Sequence, residues 1–267
     1  MVITGASSGI GRAAALELAK RGARVVPVGR DARRTASVAR KIGAGPLQAD
    51  FSSLAEVRRL AAYLLERHER IDVLVNNAGL VSGRRTITHD GLELTMAVNY
   101  FAPFLLTSLL LDRLMESAPA RVVTTASDAH RGGLVDVTDL NGERRWSAWS
   151  AYSTSKLANI LFTRALARRL EGTGVVANCL HPGVIRTGLG RGAPLPIRVG
   201  WRVASVFFGS PRKGASTLVY LASAPEAADV SGGYFVDSKL ATPSLQAQDD
   251  ELAEELWEKS AELVGLR

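Results

Sequence analysis

The run "SAYSTSKLANILFTRALARRL", Ser150 to Leu170, opens with a phenol, Tyr152, and places an ammonium, Lys156, four residues later. Its apolar positions, among them Leu157, Ile160, Leu161 and Leu170, predict a helix. Four helical residues rise about 6 Å and nearly complete one turn, so the two side chains share a face. A free phenol has a pKa of about 10, and ionising it near neutrality needs a shift of roughly 2.5 units, or about 3.4 kcal/mol. One ammonium about 4 Å away contributes about 4 kcal/mol at an effective dielectric of about 20, so a single lysine is of the right size. Such a pair can exchange protons with an alcohol or a ketone. Taken alone, it would better suit the solvated start of an exposed helix.

A second constellation stands at the beginning of the chain. "TGASSGIG", Thr4 to Gly11, follows the apolar run "MVIT" and precedes the helical pattern "RAAALELAKRG". Gly5, Gly9 and Gly11, with Ser7, Ser8 and Ile10 between them, form a strand–turn–helix in which the backbone can approach a pyrophosphate. The bland alternative is a tight turn with no ligand. The next apolar run, "RVVPV", leads into "VGRD", where dinucleotide sites that prefer NAD place an acid on the ribose 2′-hydroxyl. Here Gly29 stands in that place and Arg30 follows. A guanidinium can hold a 2′-phosphate bidentately, so NADP(H) is expected over NAD(H), with Arg12 or Arg34 in support. Arg30 could otherwise be a solvated loop residue.

These residues need a frame, and the chain alternates short β-branched runs with longer helical ones. Strand-like runs occur at 1–4, 24–28, 71–79, 120–127, 174–183 and 233–237. Between them, positions such as Leu54, Val57, Leu60, Ala61 and Leu64 repeat at helix spacing. This predicts an α/β fold: a doubly wound (Rossmann) parallel sheet of about seven strands with helices on both faces. One domain over residues 1–267 is expected. Residues 188–213 break the rhythm, with Gly and Pro around an apolar patch that runs from Ile197 through Trp201 to Phe208. The patch suits a substrate lid, an amphipathic capping helix, or, given Arg191, Arg198, Arg202, Arg212 and Lys213, a shallow membrane contact.

The 267 residues carry a net charge of +7, and 27 of the 33 basic residues are Arg. They are spread along the chain without a basic, aromatic-interleaved run, so nucleic acid is not an expected partner. An Arg-for-Lys bias with abundant Ala and Gly suits a GC-rich bacterial genome. The one cysteine, Cys179, lies in "GVVANCLHPG" and reads as a buried strand thiol. There is no signal peptide and no apolar run near the ~20 residues a membrane span needs, which makes a cytoplasmic protein the default.

"TGASSGIG", "NNAG" (Asn76–Gly79), Asn99, Ser127 and "YSTSK" follow one another in the order of the short-chain dehydrogenase/reductase family, which the chain resembles over essentially its whole length. "YSTSKLANILFTRALARRL", "HPGVIRTGL" and the tail "VSGGYFVDSK…LWEKSAELVGL" resemble the retinol dehydrogenase-like branch. The resemblance implies a tetrad in which Tyr152 is the acid/base, Lys156 its activator, Ser127 the carbonyl orienter and Asn99 the holder of a proton-relay water. It further implies that Lys156 bonds the nicotinamide ribose, and that Asp50 caps the adenine unless it serves as a helix N-cap. Asn76 to Gly79 would line the adenine ribose and brace the central strand, with Asn76, Ala78 and Gly79 as its cofactor-binding residues. Pro182, Gly183 and Val184 would lie beside the nicotinamide, with Thr187 on its carboxamide. His181 is expected to be structural, since Tyr152 fills the acid/base role, and no metal is expected. Family likeness also suggests pairing of subunits through helices near 100–115 and 152–170.

Three departures stand out. The first strand has only two residues before Ile3-Thr4, which would weaken an edge of the fold and suggests a misassigned start. Pro27 falls in a strand where its missing N–H removes a ladder bond. Ala126 stands where this branch often has a second serine. The function these features imply is an NADP(H)-dependent interconversion of alcohol and carbonyl on a bulky apolar substrate. The alternative is a non-catalytic protein that senses NADPH on the same fold.

Overall fold

The computed structural model describes residues 1–183 and 210–266. The first half of the chain runs β1 (Val2–Ile3), α1 (Gly9–Lys20), β2 (Val26–Gly29), α2 (Ala32–Ile42), β3 (Leu47–Gln48), α3 (Leu54–Arg67) and β4 (Val73–Asn76). Then follow α4 (Leu94–Met96), a π-helical turn (Ala97–Phe101), α5 (Ala102–Leu109), α6 (Leu111–Glu116), β5 (Ala120–Thr125) and a 3-10 turn (Asp128–Gly132). The rest comprises α7 (Ala148–Arg169), β6 (Val175–His181), α8 (Pro211–Ser223), β7 (Tyr234–Val236), β8 (Lys239–Ala241) and α9 (Asp250–Leu263).

Local sequence accounts for where the helices begin. Ser53 caps α3 by accepting the Glu56 N–H, and Val57, Leu60, Ala61 and Leu64 form its buried stripe. Asp31 caps α2, which stops at Gly43 with a left-handed φ of 65°. α7 starts on a reciprocal pair, the Ser147 hydroxyl accepting from the Ser150 N–H and Ser150 accepting from the Ser147 N–H. That cap fixes the phase of the helix and hence where Tyr152 and Lys156 point.

The eight strands form one sheet in the order β3-β2-β1-β4-β5-β6-β7-β8. All neighbouring pairs are parallel except β7–β8, an antiparallel hairpin whose turn residues, Asp237 and Ser238, have φ of 48° and 61°. The alternation of strands and helices therefore yields the expected doubly wound fold, with an antiparallel edge the sequence reading did not include. Strand order reverses between β1 and β4, and ligands in such sheets bind in the crevice at that point, beyond the carboxyl ends of the strands.

β1 is short, as expected, but it is not at an edge; it lies between β2 and β4. Pro27 is tolerated for a geometric reason. The Val26 N–H reaches the Met1 carbonyl on β1, so the next residue faces β3, whose pairing starts only at Val28 and Leu47.

Apolar side chains form a core on each face. One, under α1, α2 and α8, is built from residues such as Ile3, Ala14, Leu18, Val38, Leu218 and Phe235. The other, larger, lies under α3, α5, α7 and α9 and holds Leu64, Phe104, Phe162 and Leu256. α9 packs on α7, with Trp257 stacked on Phe162 at 5.7 Å and Arg164 paired with Asp250 at 2.8 Å. Part of the helical surface expected to pair subunits is thus covered by the chain's own α9. Cys179 is buried in β6, where burial pushes its thiol up to about 12. Among the described residues, no helix is long and apolar enough to cross a membrane. The expected lid, 188–213, lies outside the described residues except for 210–213, which open α8.

Candidate active site

A cleft of about 830 Å³ opens at the switch point and runs from the β2–α2 turn to Tyr152. Its floor is backbone. Gly5 and Gly9 have φ of 65° and 57°, a region that favours glycine. At Gly11 a Cβ would lie 2.4 Å from Asn77 Nδ2 and 2.6 Å from the Gly5 carbonyl oxygen, so turn and helix meet at main-chain distance. Ser8 is the N-cap of α1 but makes no side-chain cap bond, and the first turn of the helix holds no acid. The first N–H groups of α1 therefore face the cleft end of the turn without a capping side chain, a cradle for an anion such as a pyrophosphate.

Thr4 braces this floor from below. Its hydroxyl donates to the Val75 carbonyl and accepts the N–H groups of Asn77 and Ala78, while Asn77 Nδ2 donates to the Thr4 carbonyl. The cleft wall here is Asn77, Ala78 and Gly79. Asn76 turns the other way, buried, with Nδ2 donating to Thr107 at 2.9 Å. The ribose-lining role expected of Asn76 thus does not match its position, because strand residues alternate faces and Asn77 holds the cleft side.

At the far end the cleft is lined by Ser7, Gly29, Arg30, Asp31, Arg34 and Asp50. A Cβ at Gly29 would lie 2.6 Å from Thr35 Oγ1 and 3.0 Å from Ser7 Cβ, so packing alone excludes an acidic side chain there. Arg34 pairs with Asp31 at 3.2 Å, and Arg12 is not part of the lining. Asp50 is not the cap of α3, a role taken by Ser53. One of its oxygens accepts from the Ser52 N–H and hydroxyl, and the residue lines the cleft beside Phe51.

The other end is built from side chains. Lys156 is 4% exposed, and its Nζ donates to the Thr125 carbonyl at the end of β5 at 2.8 Å. It lies 5.7 Å from the centre of the Tyr152 ring. Ser127, whose Oγ accepts the Ala129 N–H at 3.2 Å, follows β5 beside Tyr152. Burial pushes the Tyr152 phenol above its ordinary value, and the nearby Ser127 hydroxyl pulls it part of the way back. This differs from the expectation that Lys156 governs the phenol's acidity. The reason is desolvation, which acts on both groups and brings Lys156 itself down to about 8. The ammonium, rather than the phenol, is the member of the pair nearest neutrality.

Asn99 lies in the π-helical turn, where the Ala102 N–H reaches back five residues to the Ala97 carbonyl. Its side chain is fully engaged: Oδ1 accepts the Leu80 N–H, and Nδ2 donates to the Leu80 carbonyl and to Ser155 Oγ. Gly79 leaves room for this group, since a Cβ there would meet Asn99 Oδ1 at 3.3 Å and Lys156 Nζ at 3.8 Å. The amide therefore ties the strand β4 loop to α7 instead of presenting itself to the cleft.

Pro182 lines the cleft, and Gly183 follows it with a φ of 79°. Val184 and Thr187 lie outside the described residues. Reading from sequence missed Thr4, Phe51 and Ser155, and singled out Asn76 rather than Asn77 as the cofactor residue of the Asn76–Gly79 stretch. The second Asn of "NNAG" and the Ser just before Lys156 were in plain view, but nothing local shows which way they face.

A family model described as short chain dehydrogenase matches residues 1–194. Human retinol dehydrogenase 13 is 42% identical over 279 aligned residues, covering all of this chain and 84% of that protein. A protein of Streptomyces sp. (strain C5), provisionally named as a daunorubicin C-13 ketoreductase, is 47% identical, with 99% of this chain and 92% of that one covered. Among solved structures, a short chain dehydrogenase from Burkholderia cenocepacia in complex with NADP matches with a TM-score of 0.69 and 29% identity, over 88% of this chain and 94% of that one.

Proposed function

The chain belongs to the short-chain dehydrogenase family, and from that premise we propose that it is an NADP(H)-dependent oxidoreductase acting on a bulky apolar alcohol or carbonyl compound. The observation that carries the reading is the pair Lys156 and Tyr152 in the cleft wall, one buried cation behind a phenol, with the Ser127 hydroxyl beside that phenol. A bound nicotinamide supplies the hydride.

The residues of the chain do the rest. The glycine turn and the α1 N-terminus hold the pyrophosphate. Arg30, with no ion pair of its own among the described residues, and Arg34 hold a 2′-phosphate next to Ser7. Tyr152 and Ser127 both bond the substrate oxygen, and Tyr152 gives its proton to that oxygen on reduction or takes it on oxidation. Lys156 stabilises the phenolate left behind. Asn99 keeps the β4 loop and α7 in register, so a relay water, if it uses Asn99, meets its backbone and not its amide.

Two observations favour a bulky apolar substrate. Trp149, 57% exposed, lies with its ring 6.3 Å from that of Tyr152, and Leu134, 69% exposed, follows the turn that begins at Ser127. Two of the relatives are named for a retinol and for the C-13 ketone of daunorubicin, which supports the same reading. Reduction is the proposed direction.

The test begins with fluorescence titration of NADPH against NADH and continues with a panel of carbonyl compounds. We expect NADPH to bind more tightly, and Arg30→Ala to weaken NADPH by about 10- to 100-fold while leaving NADH unchanged. Tyr152→Phe should lower turnover by about 10³-fold and spare cofactor binding. Retained turnover in that variant would sink the assignment.

A further inference from the structure

Two histidines stand outside the four candidate residues, and both bond the same peptide group. We infer that His130 and His181 are positioning residues that clamp the Ser127–Asp128 peptide from opposite sides, each as a neutral imidazole, and so hold the Ser127 hydroxyl beside Tyr152.

The bonds define the protonation states. His130 is fully buried, and its Nε2 accepts the backbone N–H of Ser244, at 3.0 Å, from the segment after β8. A backbone N–H only donates, so Nε2 carries no proton, and the ring proton of the neutral form is on Nδ1. That nitrogen lies 2.7 Å from the Ser127 carbonyl oxygen and donates to it. From the other side, at the end of β6, His181 Nδ1 accepts the Asp128 N–H at 3.1 Å. One peptide plane thus has its carbonyl held by one imidazole and its N–H held by the other. The Ser127 Cα lies in this plane and carries the hydroxyl that stands beside the Tyr152 phenol.

The surroundings decide when the clamp holds. Asp128, itself paired with Arg131 at 2.9 Å, is near both rings; Asp237 of the β7–β8 turn is near His181, and Tyr234 of β7 packs edge-on against His130 at 5.1 Å. The two aspartates favour an imidazolium, while Arg131 opposes one at His130 and His130 opposes one at His181. Burial outweighs them and keeps both rings below the ordinary histidine value. In acid, a proton on His181 Nδ1 would face the Asp128 N–H, and a proton on His130 Nε2 would face the Ser244 N–H. Each turns a hydrogen bond into a repulsion between donors: at His181 the N–H side of the peptide is let go, and at His130 the ring loses its seat on Ser244 while Nδ1 still faces the Ser127 carbonyl, so the clamp opens first from the His181 side.

This inference rests on Ser127 working as proposed above, and the test separates the two. Steady-state carbonyl reduction from acid to neutral pH is compared for the wild type, His181→Leu and His181→Asn, alongside melting temperature and NADPH affinity. Leucine removes the acceptor, while an asparagine oxygen can replace Nδ1 and does not titrate. We expect the leucine variant to lose about tenfold or more in kcat, as small misplacements of reacting groups do, with KM and NADPH affinity little changed. The asparagine variant should recover most of kcat and show a less steep acid limb, because one of two groups that must be neutral no longer titrates. A folded leucine variant with wild-type kcat, or an asparagine variant no better than leucine, would overturn the clamp. If the wild type turns over no alcohol or carbonyl, it is the functional reading that fails. Hydrogen exchange at the Asp128 and Ser244 amides then decides: protection lost as the imidazoles protonate supports the clamp, and protection unchanged in acid overturns it.

Discussion

The two ends of the cleft are made in opposite ways. At the nucleotide end the working surface is main chain, exposed because side chains are missing at Gly5, Gly11 and Gly29. At the catalytic end it is a set of polar side chains taken out of water: Lys156, Asn99 and Ser155 are all buried. The first arrangement is stabilising as it stands, since tight backbone contacts satisfy one another. The second carries an unfavourable term, because burial pulls Lys156 towards its neutral form and keeps the proton on Tyr152. Substitutions at the two ends should therefore separate stability from turnover in opposite senses.

The largest effect is expected from Lys156→Met. Turnover at neutral pH should fall by about 10³-fold, the upper range for removing an acid–base group's support. Stability should move the other way. An ammonium at about 8 when folded, against 10.5 when exposed, binds fewer protons in the folded state between those values. Stability of the wild type consequently rises with pH across that window, and below it the buried charge costs at most roughly 3 kcal/mol. Leaving the Thr125 carbonyl without Nζ returns about 1 kcal/mol of that. The variant should melt a few degrees higher than the wild type at pH 7, with the gap closing as pH rises from about 8 to 10.5. An inactive variant that is also less stable at pH 7 would break the contrast.

Gly11→Ala should do the reverse. A Cβ 2.4 Å from Asn77 Nδ2 and 2.6 Å from the Gly5 carbonyl forces the turn open. The expected loss is about 1–3 kcal/mol of stability, as for overpacking elsewhere, together with about tenfold or more in NADPH affinity. At saturating cofactor, kcat should change little, since Tyr152, Lys156 and Ser127 are untouched. Gly45→Ala is the control: nothing lies within 4 Å of its Cβ and its φ is not left-handed, so unfolding denaturant midpoints should match the wild type or exceed it.

The same contrast explains what could be read from the chain beforehand. The glycine turn was legible because strand, turn and helix are contiguous and each follows from a few neighbouring residues. Tyr152 and Lys156 were legible as a pair for the same reason, being one helical turn apart. What they touch was not. Thr125 is 31 residues before Lys156, and Leu80 is 19 before Asn99. The choice between Asn76 and Asn77 depends on which face of β4 meets the cleft, and "NNAG" is silent on that. Gly29 shows the limit most clearly. Its lack of an acid was read as cofactor preference, whereas the fold adds a packing reason that comes from Thr35 and Ser7. The parallel, doubly wound sheet followed from the alternation of elements, yet the β7–β8 hairpin did not, since its turn is Asp237-Ser238 and contains no glycine.

The smallest effect, and the one that sharpens where substrate meets the catalytic end, is expected at Trp149. Its ring is exposed on one side and on the other lies close to Gly132, whose Cβ position is 3.5 Å from Nε1. The indole lies beside Tyr152, the rings 6.3 Å apart at a tilt of 42°, which puts an apolar surface next to the catalytic end of the cleft. It bonds none of Tyr152, Lys156 or Ser127, so truncation should leave their geometry alone. Burying half of such a ring against an apolar ligand is worth about 1 kcal/mol or a little more. Trp149→Ala should accordingly raise KM for a polycyclic or long-chain carbonyl by roughly 5- to 10-fold, while kcat and the KM of a two- or three-carbon aldehyde stay as in the wild type. Equal losses for large and small carbonyls would mean that the indole supports Tyr152 and not the substrate, and the apolar wall would have to be sought elsewhere around the cleft.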